Sequence, residues 1–174
     1  MITILRLNHR IERDKRATTH VFLSSRALGA DNAILSGEED ENTIKTVESV
    51  SKRWGGSFKV IYEKNWKKAV EEKKRQGFKV VHLTMYGERF TDVLPKLKKE
   101  KNILIAVGNE KVPAEMYQLA DYNVSVGNQP HSEIAALAIF LYELKGKEAL
   151  YSEKENAKLI VKPNKRGKTV LKKN

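Results

Sequence analysis

Three arginines at three-residue spacing, Arg10, Arg13 and Arg16, are the first residues in this sequence with chemistry to offer. They lie in the polar run Asn8-His9-Arg10-Ile11-Glu12-Arg13-Asp14-Lys15-Arg16-Ala17-Thr18-Thr19-His20, which follows an apolar opening over residues 2–7. A guanidinium presents planar, paired donors that match phosphate oxygens, so such a segment suits the holding of phosphates. The same spacing also suits surface pairing with Glu12 and Asp14. A second group is a pair of glycine-asparagine turns, Gly108-Asn109-Glu110 and Gly127-Asn128-Gln129. Each follows a short apolar run that reads as a buried strand, 103–107 and 122–126, and each leads into a helical pattern. Strand-to-helix turns that carry glycine are where an α/β sheet exposes backbone N–H groups to a ligand.

The familiar nucleotide signatures are missing from these turns. No GxGxxG follows the first strand, which argues against the common dinucleotide fold. Gly167-Lys168-Thr169 resembles the end of a P-loop, but Lys162 stands where the earlier glycine is required, and the segment reads as a hairpin. The second turn continues through Pro130-His131-Ser132-Glu133-Ile134-Ala135-Ala136-Leu137-Ala138. Pro130 suits a first helical turn. The small alanines permit close approach of a ligand, of backbone or of another helix, and His131 reads as a capping residue. With Leu83-Thr84-Met85-Tyr86-Gly87, the two turns would line one pocket of few charges at the ends of three strands. Such a pocket fits a neutral flat ring and a ribose better than a triphosphate.

Apolar runs and helical patterns alternate along the chain to position these groups. Strands are expected at 2–7, 32–35, 58–62, 80–84, 103–107 and 122–126, and helices at 18–28, 41–53, 66–76, 90–99, 113–119 and 130–144. Asp40 and Asn65 read as N-caps, and Gly29, Gly55 and Gly77 fall where helices should stop. The alternation predicts an α/β domain over residues 1–150, a mostly parallel sheet with helices on both faces. Ile134, Leu137 and Leu141 give the last helix an apolar face, for the core or for a dimer interface. Residues 151–174 form a basic extension in which 158–162 and 168–172 alternate polar and apolar around Pro163-Asn164-Lys165-Arg166-Gly167, a hairpin. Two strands are marginal alone, so it must pack on the body or on a partner subunit.

The 174 residues suffice for one sizeable core, and 40% hydrophobic with 32% charged residues describes a globular chain. The longest apolar stretch, 134–142, falls far short of the roughly 20 residues of a membrane span. Met1-Ile2-Thr3-Ile4-Leu5 lacks a basic leader region and continues into a strand, which argues for a cytoplasmic protein. Without cysteine there is no disulfide or thiolate chemistry, and the four histidines show no paired metal spacing, so no metal is expected. The formal charge of +11 is uneven, with a net +7 over residues 145–174 and +5 over 64–79. Basic surfaces favour polyanions through counterion release, although lysine-rich faces also serve solvation and heat adaptation.

The segment Ile105-Ala106-Val107-Gly108-Asn109-Glu110, with Asn128-Gln129-Pro130-His131-Ser132-Glu133-Ile134-Ala135-Ala136-Leu137-Ala138 after the next strand, resembles the SPOUT class of RNA methyltransferases. Leu5-Arg6-Leu7-Asn8-His9-Arg10, the run from Arg13 to His20, His82-Leu83-Thr84-Met85-Tyr86-Gly87 and the final hairpin narrow the resemblance to the archaeal family that methylates cytidine 56 of tRNA. The resemblance implies a C-terminal trefoil knot, a homodimer, S-adenosyl-L-methionine as methyl donor and tRNA as partner. It implies cofactor contacts from Leu83, from Gly108, Asn109, Glu110, Lys111 and Val112, and from Val126, Gly127, Asn128, Gln129, Pro130, His131, Ser132 and Glu133. Relatives that methylate a ribose 2′-OH use an arginine of the first motif, so Arg10, Arg13 and Arg16 are the catalytic candidates. Arg16 is preferred on the expectation that it opens a helix facing the pocket. The asparagine and arginine that open that motif in the wider class fall near Ala17 and Leu23 here. Lys158, Lys162, Lys165, Arg166 and Lys168 of the hairpin would face the RNA. Methyl transfer at another RNA site, or RNA binding without catalysis, remain the alternatives.

Overall fold

Strands and helices alternate through the chain in a computed structural model that describes residues 1–108 and 111–173. The order is β1 (Ile2–His9), α1 (Ile11–Ala27), β2 (Asn32–Gly37), α2 (Glu41–Trp54), β3 (Lys59–Tyr62), α3 (Trp66–Arg75), β4 (Lys79–Arg89) and α4 (Phe90–Leu97). It continues with β5 (Ile103–Val107), α5 (Ala114–Leu119), β6 (Tyr122–Ser125), α6 (Glu133–Lys145), a 3-10 turn (Lys147–Leu150), β7 (Leu159–Lys162) and β8 (Thr169–Lys172). The six strands β1–β6 form one parallel sheet in the order β3-β2-β1-β5-β4-β6. This is the expected fold class. Strand order reverses its direction of growth beside β1 and β5, and the crevice at their carboxyl ends is where open α/β sheets bind ligands.

Alternation along the strands divides the core. Ile2 and Ile4 face α1, α2, α4 and α6, with Phe22, Val47, Leu97 and Phe140 among the side chains buried there. Leu5 and Leu7 face the opposite layer of α3 and α5, where Trp66, Val70 and Met116 are buried. Leu137 and Leu141 of α6 are fully buried and Ile134 packs against the same cluster, so that apolar face serves the core. Ile139 and Tyr142 are the exposed large hydrophobics of α6. Asp40 caps α2 by accepting from Thr43 N at 2.9 Å, and Asn65 caps α3 by accepting from Lys67 N and Lys68 N. No described helix is long and apolar enough to cross a membrane.

Three boundaries differ from the sequence reading by three residues or more. The polar run after β1, expected to precede a helix at 18–28, is itself structured: β1 continues to His9 and α1 begins at Ile11, seven residues before the expected start. Strand β4 runs on to Arg89, because Glu88 and Arg89 pair with Val124 and Ser125 of β6 after a break in register. Helix α6 begins at Glu133 with Ser132 as its cap, accepting from Ala135 N at 3.1 Å, so Pro130 lies outside the helix.

The C-terminal hairpin is antiparallel, Leu159 opposite Lys172 through Lys162 opposite Thr169. It is rooted at the amino-terminal edge of the sheet, where Gly56 N donates to Glu155 O at 2.8 Å and Lys158 N to Arg53 O at 3.0 Å. Gly55 has φ +78, and a Cβ there would lie 2.5 Å from Glu155 O, so the docking of this segment requires glycine.

Candidate functional site

Arg6 lies in the middle of an apolar strand and is fully buried, with its partners gathered around the switch point. Register places it opposite Val107 of β5, which in turn pairs with Leu83 of β4, itself opposite Val124 of β6. This row runs along the carboxyl edge of the sheet. Arg6 Nε donates to Thr18 Oγ1 at 3.1 Å, Nη1 to the Gly108 carbonyl at 3.4 Å, and Nη2 pairs with Glu133 Oε1 at 3.2 Å. One guanidinium therefore reaches both glycine-bearing segments. Burial lowers its pKa, with Glu133 and Asp14 opposing that shift, and a guanidinium stays charged throughout.

Thr18 Oγ1 also meets His9 Nδ1 at 2.9 Å, and His9 Nε2 lies 3.4 Å from Asp40 Oδ2. A polar chain thus runs beneath the edge from Asp40 through His9 and Thr18 to Arg6. Burial pushes the His9 pKa down and the Asp40 and Asp14 charges only partly offset it, so the imidazole is held neutral.

Above Arg6 opens a cavity of about 520 Å³, whose walls are Leu83, Thr84, Met85 and Tyr86 of β4, Gly108 and Val112 after β5, and Val126 with Gln129 through Glu133 before α6. Its lining also takes in His82, Tyr117, Val124 and Ala136. His82 Nδ1 donates to Asn123 Oδ1 at 2.9 Å, its ring meets Tyr117 edge-on at 4.7 Å, and burial lowers its pKa. His131 is tied down: its Nε2 donates to the Val126 carbonyl at 2.6 Å, closing the turn at Gly127, whose φ is +80. No lysine or arginine lines this cavity among the described residues, and Glu133 is its one carboxylate.

The structure thus brings together Leu83, Gly108, Val112, Val126, Gln129, Pro130, His131, Ser132 and Glu133 of the expected donor site. Gly127 and Asn128 shape the turn without lining the cavity, Asn109 and Glu110 lie outside the described residues, and Lys111 lines a neighbouring cleft instead. That cleft, of about 460 Å³, is bounded by Asn8, His9, Arg10, Gly37, Glu38, Lys64 and Lys111. Of the three arginines only Arg10 lines it. Arg13 and Arg16 are exposed on α1, and Arg16 sits in the second turn rather than opening the helix, which removes the reason for preferring it. Lys158, Lys162, Lys165, Arg166 and Lys168 all belong to the hairpin on the far edge of the sheet.

Sequence reasoning missed Arg6 and Tyr117. The signal for Arg6 was present, since a lone charge in a buried parallel strand must be paired and therefore marks a built site. Tyr117 carried no such signal. Among the described residues no group of His, Asp and Glu is placed to hold a metal ion.

A family model described as tRNA ribose 2′-O-methyltransferase, aTrm56, matches residues 54–171. The tRNA (cytidine(56)-2′-O)-methyltransferase of Thermococcus kodakarensis is 54% identical over 175 residues, covering 98% of this chain and 97% of that protein. Its counterpart in Methanococcus vannielii is 55% identical over 174 residues, covering 97% and 96%. Among solved structures, the SpoU methyltransferase AviRb from Streptomyces viridochromogenes, in complex with the cofactor AdoMet, superposes with a TM-score of 0.60 at 17% identity over 83% of this chain. This chain spans 56% of the length of AviRb, and the likeness is one of fold. A match over most of the sequence, joined to relatives identical at about half their positions from end to end, leads to one conclusion: this chain belongs to the tRNA ribose 2′-O-methyltransferase family aTrm56.

Proposed function

We propose that the chain transfers a methyl group from S-adenosylmethionine to the ribose 2′-OH of cytidine 56 in tRNA. The observation that carries this reading is one lightly charged cavity built from both glycine turns, in a chain of this family. S-adenosylmethionine supplies a methyl group already activated on a sulfonium. The protein's work is to align the acceptor, handle its proton and exclude water. A volume of about 520 Å³ lies within the usual range for small-ligand sites. A lining without cationic side chains among the described residues, with Glu133 at its rim, suits a donor whose sulfur and amine are positive. Leu83, Gly108, Val112, Val126 and the Gln129–Glu133 segment would hold it, and Leu83, Val124 and Val126, each at most 9% exposed, would keep water from the reacting atoms.

Arg10 is favoured over Arg13 and Arg16 on the acceptor side, because it lines the adjoining cleft. Arginine is a poor base at a pKa above about 12, so its part is to orient the acceptor and steady the oxygen as the proton leaves. Residues 1–150 would carry the chemistry and 151–174 would grip RNA through Lys158, Lys162, Lys165, Arg166 and Lys168. The hairpin root lies on the edge opposite the donor cavity, which favours a homodimer in which each hairpin serves RNA on its partner. The knot expected of the class fits the close passage of Gly87 against Asn123 and Val124. As a tRNA-modifying enzyme it would act in the cytoplasm.

The test is tritium transfer from labelled S-adenosylmethionine to unmodified tRNA, followed by nucleoside analysis. The expected product is 2′-O-methylcytidine at position 56. Another methylated nucleoside would move the activity to a different site, and no transfer would leave an RNA-binding module.

A further inference from the structure

We propose that the cleft beside the donor cavity is the seat of the RNA strand, with Lys64 and Lys111 as the groups that hold the phosphodiester next to the accepting ribose. This rests on the methyltransferase reading above and assigns that site its substrate-binding residues. The two cavities share a wall. Gly108 and Val112 face the donor cavity, whereas Lys111, between them in sequence, lines the cleft. An acceptor seated there would lie beside the donor cavity.

The charges of the cleft point to an anion. Arg10, Lys64 and Lys111 come from three separate segments: the start of α1, the loop after β3 and the loop after β5. Glu38 is the one carboxylate in the lining among the described residues, and its Oε2 already accepts from Ile11 N at 2.7 Å at the start of α1. Arg10 is shared with Asp14, 3.6 Å away. Lys64 and Lys111 are exposed and have no ion-pair partner among the described residues. Gly37, with φ +108, packs closely on the end of β1, where a Cβ would lie 2.5 Å from His9 N and O.

Loss of a phosphate contact weakens RNA binding and reduces its salt dependence together. The experiment measures binding of an unmodified tRNA transcript to the full-length protein across a salt series, with Lys64→Ala, Lys111→Ala and the double variant. Each single change should raise the dissociation constant about five- to tenfold and lower the log–log salt slope by about 1, the double by about 2. S-adenosylmethionine affinity of Lys64→Ala should stay at the wild-type level while KM for tRNA rises. Lys79→Ala, at the first residue of β4 on the opposite edge and away from the hairpin, serves as the control. A wild-type slope in the double variant, or an equal loss in the control, would overturn the assignment. Binding needs no turnover, so the outcomes separate. A slope that falls without any methyl transfer would refute the activity and keep the cleft, and transfer with an unchanged slope would do the reverse.

Discussion

The carboxylate of Glu133, at the mouth of the donor cavity, lies 3.2 Å from the guanidinium of Arg6, which is sealed beneath the sheet edge. A second nitrogen of the same guanidinium donates to the carbonyl of Gly108, so one buried cation fixes the two turns relative to each other. Arg6→Met keeps the length of the side chain and removes every donor. Loss of one partner of a buried charged network costs about 2–4 kcal/mol. Urea unfolding should show that loss, and calorimetry should show S-adenosylmethionine binding weakened about tenfold. A folded Arg6→Met protein that binds the cofactor within twofold of wild type would rule out the bracing role.

Both buried histidines make the fold sensitive to acid. The pKa of His9 is lowered by burial and by Arg6, against Asp40 and Asp14, and that of His82 by burial, against its bond to Asn123. A depressed folded pKa means that the unfolded chain binds more protons below pH 6.5. Stability is therefore full above about 6.5 and falls as pH drops toward the folded values, by at most about 1.4 kcal/mol per pH unit for each histidine. Unfolding free energies at about pH 7.5, 6.5 and 5.5 should trace that fall. His82→Gln, which keeps a donor toward Asn123, should flatten part of it; an unchanged slope in that variant would sink the account for His82.

The parts legible in the sequence were those that apolar periodicity or glycine chemistry announces. Alternation along β1 and the continuous apolar β5 gave the sheet, and the glycine turns gave most of the cavity wall. The start of α1 was hidden because its inward face opens with polar residues. Asp14 and Thr18 are buried there, Asp14 accepting from Arg10 N at 3.1 Å and Thr18 meeting Arg6 and His9. A helix whose core-facing stripe begins with hydrogen-bonding side chains looks like a loop to any hydrophobic pattern. The extension of β4 to Arg89 was hidden for another reason, since its pairing with β6 depends on backbone approach at Gly87 and not on side-chain type.

A dimer should expose its interface in α6. Ile139 and Tyr142 are 46% and 40% exposed on a helix whose other large apolar residues are buried or packed on the core. Replacing Ile139 with Asp places a charge on that face at little cost to a monomer. Sedimentation should report a homodimer for the wild type and a shift toward monomer for Ile139→Asp. An Ile139→Asp protein that sediments like the wild type would move the interface elsewhere.

Gly87 is fixed by contact, and Gly77 only by conformation, so the pair separates the two costs. A Cβ on Gly87 would overlap backbone atoms of Asn123 and Val124, where neither side can yield without parting β4 from β6. That pairing includes Ser125 Oγ, which donates to Glu88 O at 3.2 Å. Gly77 has φ +80 and nothing within 4 Å of its added Cβ, so alanine there meets only backbone strain of about 1 kcal/mol. Gly87→Ala should cost about 3 kcal/mol or more, since overpacking against backbone finds no rotamer to relieve it. It should also weaken S-adenosylmethionine binding, because Thr84, Met85 and Tyr86 immediately before it line the donor cavity. Urea unfolding of the two variants, with cofactor titration of each, makes the comparison. Equal losses of stability at the two positions, with cofactor affinity retained, would show that the approach of β4 to β6 is not what holds this wall of the site in place.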